Sequence, residues 1–181
     1  MKPALVERAI AFAVRAHEGQ MRKEAPTPYI VHPVRVAILL ARYGFSDEVV
    51  AAGLVHDVVE DTNISLEDIR RELGGAVAEL VAPVTHDDTL SWIEKKKAYI
   101  ESVREANDEV KAIATADKIA NAESLLGAHK REGVAVWRYF NAEKEKKLWF
   151  EESMLAMLQE SRSHPIVDEY AHMVSELKTL D

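Results

Sequence analysis

The segment LVHDVVEDT (residues 54–62) sets His56, Asp57, Glu60 and Asp61 directly behind an apolar run. Burying four such groups costs several kcal/mol unless each finds a partner, and for a mixed imidazole and carboxylate set a metal cation is the most economical one. On a helix His56 and Glu60 are four residues apart, as are Asp57 and Asp61, so all four share one broad face near the helix end. His56 and Asp57 then point about 100° apart, close enough for both to reach one ion between them. The alternative is a solvent-facing helix C-terminus. That arrangement opposes three carboxylates to the helix dipole at about 0.3–1 kcal/mol each.

Two more donors lie elsewhere in the chain. His32 precedes Pro33 in YIVHP (residues 29–33), at a rigid junction between loop and helix, where a capping or packing role is the ordinary alternative. Asp117 interrupts a small, apolar stretch in AIATADKIAN (residues 112–121), with an ion pair to Lys118 or Lys111 as its alternative. Together His32, His56, Asp57 and Asp117 offer two imidazoles and two carboxylates, a divalent-cation set with positions left for water or substrate. The mixed nitrogen and oxygen donors suit Mn²⁺, and Fe²⁺, Co²⁺, Ni²⁺ and Zn²⁺ are also compatible.

Arg22 and Lys23 stand beside a Pro-rich turn and could grip a phosphate, or be two solvated charges. Lys95, Lys96 and Lys97, like Lys144, Lys146 and Lys147, read as solvated helix faces able to edge a phosphate site. Trp137, Tyr139, Phe140, Trp149 and Phe150 read as core, with one of them free to stack on a base. Gly-rich phosphate loops, Rossmann fingerprints, serine-hydrolase elbows and HExxH are absent.

The elements that must position these residues are helices. Leu5, Ala9, Phe12, Ala13 and Ala16 have helical spacing, bracketed by Pro3 and Gly19, and residues 20–31 read as a loop. Pro33 suits the first turn of a helix that Gly44 ends. Ser46 caps a nearly all-apolar and therefore central helix that carries the HDVVED segment. Ser65 and Asp68 cap a helix to Leu73, a further helix covers about 76–85, and residues 86–89 turn. Ser91 and Glu94 cap one to about Ala106. Helices are expected at 109–126 and 134–160, and Pro165 begins the last. No convincing period-2 strand occurs. The expected fold is all-α, a single domain of about nine helices.

Composition agrees. The chain has 181 residues, 48% hydrophobic and 30% charged, which suits one soluble globular domain. Only 7 Gly and 6 Pro imply long elements and short loops. With no cysteine, disulfides, thiolate zinc sites and cysteine nucleophiles are excluded. A net charge of −8 argues against nucleic acid as partner, while a local basic cluster still permits a small anionic substrate. Charges interrupt every apolar stretch, so neither a signal peptide nor a membrane span is expected, and a cytoplasmic location follows as the default.

AHEGQMRK (16–23), PYIVHPVRVA (28–37), VAAGLVHDVVEDT (50–62) and TADKIAN (115–121) occur in the order and spacing of the HD-type hydrolase domain of RelA/SpoT-like alarmone enzymes. The chain resembles that family over about residues 4–126, in a small form without room for a synthetase domain. The resemblance implies an HD-domain helical bundle holding one Mn²⁺ and removing the 3′-pyrophosphate from guanosine tetra- or pentaphosphate to leave GDP or GTP. It places His32, His56, Asp57 and Asp117 on the metal, and Glu60 and Asp61 on the attacking water. Arg22 and Lys23 would contact the nucleotide, and Asn121 would hydrogen-bond near the ribose and phosphate.

The sequence departs from the family in places. The family often has Arg after this Asp and Met-Arg after this Asn, where Lys118 and Ala122-Glu123 stand here, and His86 replaces a common Lys. Glu123 removes a cation from near the phosphates. A second reading therefore keeps the metal site but changes the substrate, to the 2′-phosphate of NADPH or another phosphomonoester. A third is a nucleotide-sensing module without turnover, against which Glu60 and Asp61 argue. Oligomeric state stays open.

Overall fold

The computed structural model of the protein describes residues 4–22, 27–85, 90–139, 143–161 and 164–181. Lys23, His86 and Phe140 lie outside the described residues. Two apolar helices organise the rest. α3 (Asp47–Val55) buries every residue from Val49 to Val55, and α8 (Asp108–Glu132) buries every residue from Ala112 to Ala120. Such stretches have no solvent face to spare. α3 is accordingly surrounded by α1 (Leu5–Ala16), α2 (Val31–Arg42), α6 (Gly75–Val81) and α8.

α4 (Val58–Asp61) is a single turn continuing α3, and α5 (Leu66–Leu73) precedes α6. α7 (Trp92–Glu105) packs on α9 (Lys144–Ser161), and α10 (Pro165–Lys178) closes the bundle against α8 and α9. Among the described residues the only β-type pairing is an isolated antiparallel bridge between Met21 and Pro28. The all-α expectation is met. Among the described residues no helix is long and apolar enough to cross a membrane.

Capping chemistry starts the helices where the sequence indicates. The Ser46 hydroxyl accepts from the Val49 amide, and Ser65 with Asp68 and Ser91 with Glu94 close reciprocal capping boxes. Pro33 falls in the first turn of α2, where its missing N–H costs nothing.

The helix expected at 109–126 instead runs to Glu132 and ends at Gly133, whose φ of 59° lies in the left-handed region that glycine enters without strain. The expected 134–160 helix is two pieces: a 3₁₀ segment at Gly133–Tyr139, then α9 from Lys144. The carrier of the HDVVED segment also breaks, since α3 ends at Val55 and α4 starts at Val58. His56 (φ −60°, ψ −33°) and Asp57 (φ −91°, ψ −7°) nevertheless stay near helical angles, so the spacing argument survives the break.

A main core runs from Ala9 to Val174, and a smaller cluster of Ala122, Leu125, Ala128, Val136 and Leu177 sits where α8 meets the 3₁₀ segment and the end of α10.

Candidate metal centre

α2, the α3–α4 junction and α8 converge to bring four candidate donors together, of which His32, His56 and Asp57 form a group close enough to hold one metal ion. Nε2 of His32, from the first turn of α2, lies 3.3 Å from Asp57 Oδ2 and 3.1 Å from Asp117 Oδ1. Nε2 of His56 lies 3.1 Å from Asp57 Oδ1 and 3.6 Å from Asp117 Oδ1. Two donors each about 2.1 Å from one cation and at right angles to each other are about 3 Å apart, so these separations suit a shared ion.

The Nδ1 atom of His56 donates to the Gly53 carbonyl at 2.8 Å, which leaves Nε2 as the nitrogen aimed at the carboxylates. That Nε2 is buried, and no oxygen stands in hydrogen-bonding geometry to it. A buried set of carboxylates converging on two imidazole nitrogens fits a divalent metal; its hard oxygens fit the harder first-row ions.

Electrostatics keep the two carboxylates ionised. Burial alone would push the Asp57 carboxyl up, but the imidazoles of His56 and His32 outweigh it and hold the group well below the usual carboxylate range. Asp117 behaves likewise: burial opposes its charge, and the Lys118 ammonium, with His32 and His56, overcomes that. Lys118 Nζ lies 2.7 Å from Asp117 Oδ2 while Oδ1 faces the histidines. Asp117 therefore forms the ion pair with Lys118 through one oxygen and turns the other toward the histidines.

Glu60 and Asp61 follow in α4, one turn past the donors. Partial burial raises the Asp61 carboxyl above its ordinary value, with the Asp57 and Glu60 charges adding to it. A raised carboxylate is a better proton acceptor. Asn121, one turn beyond Asp117, donates to Asp117 Oδ1 at 2.6 Å and accepts from Arg22 Nη2 at 3.3 Å, so it links a donor to a cation. The Met21–Pro28 bridge anchors Arg22, whose amide donates to the Thr27 carbonyl at 3.0 Å.

Three residues escape the sequence reading. The Tyr29 hydroxyl donates to Asp57 Oδ2 at 2.7 Å, and its ring stacks 4.8 Å from His17. Arg35 reaches from α2 to Glu123 on α8 at 2.8 Å. Both stand three residues from His32, a helical neighbour spacing that could have singled them out. Lys96, read as part of a solvated face, is half-buried with its ammonium 4.8 Å from the Phe150 ring centroid. Burial and the nearby Lys118 and Lys147 charges push it down to about 8.

Lys147 is no solvated charge either: it pairs with the buried Glu151 at 2.6 Å. Phe150 is core and Trp149 packs against it, as expected. Trp137 belongs to the smaller cluster and donates through Nε1 to the Asp181 carbonyl.

A family model for the HD domain matches residues 9–145. The human guanosine-3′,5′-bis(diphosphate) 3′-pyrophosphohydrolase MESH1 is 41% identical over 120 residues, 65% of this chain and 67% of that protein. A GTP pyrophosphokinase of Streptomyces coelicolor is 38% identical over 148 residues, 78% of this chain but only 16% of that larger protein. The solved structure of a metazoan ortholog of SpoT, described as hydrolysing ppGpp, superposes with a TM-score of 0.81 at 25% identity, covering 97% of each chain.

Proposed function

The chain belongs to the HD-domain family, and from that premise we propose that it is a metal-dependent phosphohydrolase removing the 3′-pyrophosphate of guanosine tetra- and pentaphosphate. The observation that carries this reading is the meeting of His32, His56, Asp57 and Asp117 from three separate chain segments, with Glu60 and Asp61 one turn away. MESH1, with which two thirds of the chain aligns, supports the substrate class.

His32, His56, Asp57 and Asp117 would hold the cation, and Mn²⁺ is the ion we assign from the mixed donor set. When bound, a divalent ion lowers the pKa of a water and polarises a phosphoryl oxygen. Glu60 or Asp61 accepts the proton of the attacking water. The water oxygen bonds to the phosphorus attached to the 3′ oxygen, the bond from that phosphorus to the 3′ oxygen breaks, and the 3′ oxygen takes a proton. GDP or GTP and pyrophosphate leave. Arg22 and Asn121 orient the nucleotide, and Lys23 is assigned the same task from the sequence pattern alone. Phosphate oxygens are well matched to Arg donors.

The test is product analysis after incubating purified protein with guanosine tetraphosphate and Mn²⁺, beside an EDTA-treated control and a parallel NADPH reaction. GDP plus pyrophosphate, lost in EDTA, is the expected result. NADH and phosphate instead would replace the substrate while keeping the donor set. Loss of a general base typically costs about 10²–10⁴-fold, so Glu60→Gln or Asp61→Asn should lower kcat by that order with metal binding retained. Unchanged kcat in both variants would remove α4 from the chemistry.

A further inference from the structure

Beside the donors lies a cavity of ≈300 Å³ whose walls include Arg22, His32, Arg35, Glu123, Ser124 and Arg131. Three guanidiniums meet one carboxylate there, a local positive excess in a chain of net charge −8. Asp117, Ser124 and Arg131 recur every seven residues and so share a face of α8, drifting about 20° per step. At 1.5 Å per residue, the backbones of Asp117 and Arg131 stand about 21 Å apart. The cavity suits an anionic ligand that extends from the candidate donors along this face.

Within the cavity Arg35 Nη2 donates to Glu123 Oε2 at 2.8 Å. A guanidinium from α2 thus faces the carboxylate that α8 presents to the cavity. The two side chains are 43% and 35% exposed, so water screens the pair and opening it is cheap.

We infer that the Arg35–Glu123 pair is a displaceable subsite for the phosphate group that is not cleaved, resting on the nucleotide-hydrolase reading above. Glu123 occupies Arg35 until a substrate phosphate, with more charge and more acceptor oxygens than a carboxylate, takes its place. A nucleotide lacking that phosphate leaves the pair closed and gains nothing from it. The subsite thereby selects nucleotides phosphorylated on both sides of the sugar over simple phosphomonoesters. Arg35 and Glu123 determine specificity; the reacting phosphate is left to the donors.

Isothermal titration of the full chain in EDTA with guanosine 3′,5′-bisphosphate and guanosine 3′-monophosphate tests this, because the ligands differ only in the 5′-phosphate. Arg35→Ala should weaken the bisphosphate about tenfold and leave the monophosphate within about twofold. Glu123→Gln should tighten the bisphosphate about threefold, a gain that a damaged fold does not produce. The inference is overturned if Arg35→Ala weakens both ligands equally or neither, if Glu123→Gln weakens the bisphosphate, or if the unaltered protein does not prefer the bisphosphate. Should these shifts appear while no divalent ion supports cleavage of guanosine tetraphosphate, the hydrolase reading fails and the subsite stands.

Discussion

The Tyr29 hydroxyl holds Asp57 Oδ2 at 2.7 Å without belonging to the donor set. Burial, followed by the Asp57 and Asp61 charges, raises the phenol far above its ordinary value, so it remains a proton donor at any working pH. Groups that orient a ligand commonly control metal affinity by about 10–100-fold. Tyr29→Phe keeps the ring against His17 and removes only the donor. Chelator-competition titration of Mn²⁺ should show affinity weakened by about tenfold or more; unchanged affinity would mean that the packing of α2 alone orients Asp57.

Close approach between elements decides where His56 points. α3 crosses α2 at Gly53, where an added Cβ would meet Leu40 Cδ1 at 2.5 Å and Val36 Cγ1 at 3.3 Å. Both side chains are fully buried. The Gly53 carbonyl is also the acceptor for His56 Nδ1, so helix spacing and imidazole orientation depend on the same residue. A larger side chain has no free volume, and overpacking of this kind costs about 1–3 kcal/mol. Gly53→Val should therefore lower unfolding free energy by about 2 kcal/mol in urea titration and weaken Mn²⁺ binding as well. Wild-type stability with weakened binding would show that α3 shifts instead of straining.

Across the whole molecule a buried chain of alternating charge joins the candidate metal centre to the C-terminal helices. Lys118, paired with Asp117, lies 5.0 Å and 5.2 Å from the ring centroids of Tyr99 and Phe150, and its charge interacts with Glu151. Glu151 is 1% exposed, accepts from Lys147 at 2.6 Å and from the Tyr170 hydroxyl at 2.5 Å. Glu151 and Tyr170 lie beyond the stretch matched by the HD-domain family model, so α9 and α10 complete the surroundings of a donor they do not contribute.

Burial opposes the Glu151 charge, yet Lys147 and Lys118 hold its pKa below the ordinary 4.5. A carboxylate depressed on folding stabilises fully above its unfolded value and loses that contribution as pH falls through the folded value. Acidification below about 4.5 should thus destabilise the protein through Glu151. Glu151→Gln should cost about 3 kcal/mol at pH 7, because it leaves buried cations short of a partner. It should also flatten the acid limb of a stability–pH curve measured by urea titration. An unaltered acid limb would assign acid sensitivity to other carboxylates.

How much of this is legible without coordinates depends on distance along the chain. Helix starts at Ser46, Ser65 and Ser91, and the all-α class, follow from capping patterns and periodicity, because those interactions span three or four residues. Among the candidate donors, His56, Asp57 and Asp117 stand out in the sequence because charged groups in apolar helical stretches need partners, whereas His32, just before Pro33, is singled out by the family pattern. Local rules fail at element ends, as when α8 runs on to Glu132 before Gly133 stops it and a 3₁₀ segment at Gly133–Tyr139 takes the place of the start of the helix expected at 134–160. They also leave undecided what meets what. That Asp117 serves the histidines with one oxygen and Lys118 with the other, that Arg35 answers Glu123, and that Lys96 and Lys147 are drawn toward the interior are matters of three-dimensional proximity. Side-chain type and spacing determined which chemistry the chain could do. Only the packing of α2, α3 and α8 decided its geometry, because charges far apart in sequence interact with strengths set by separation and burial in space.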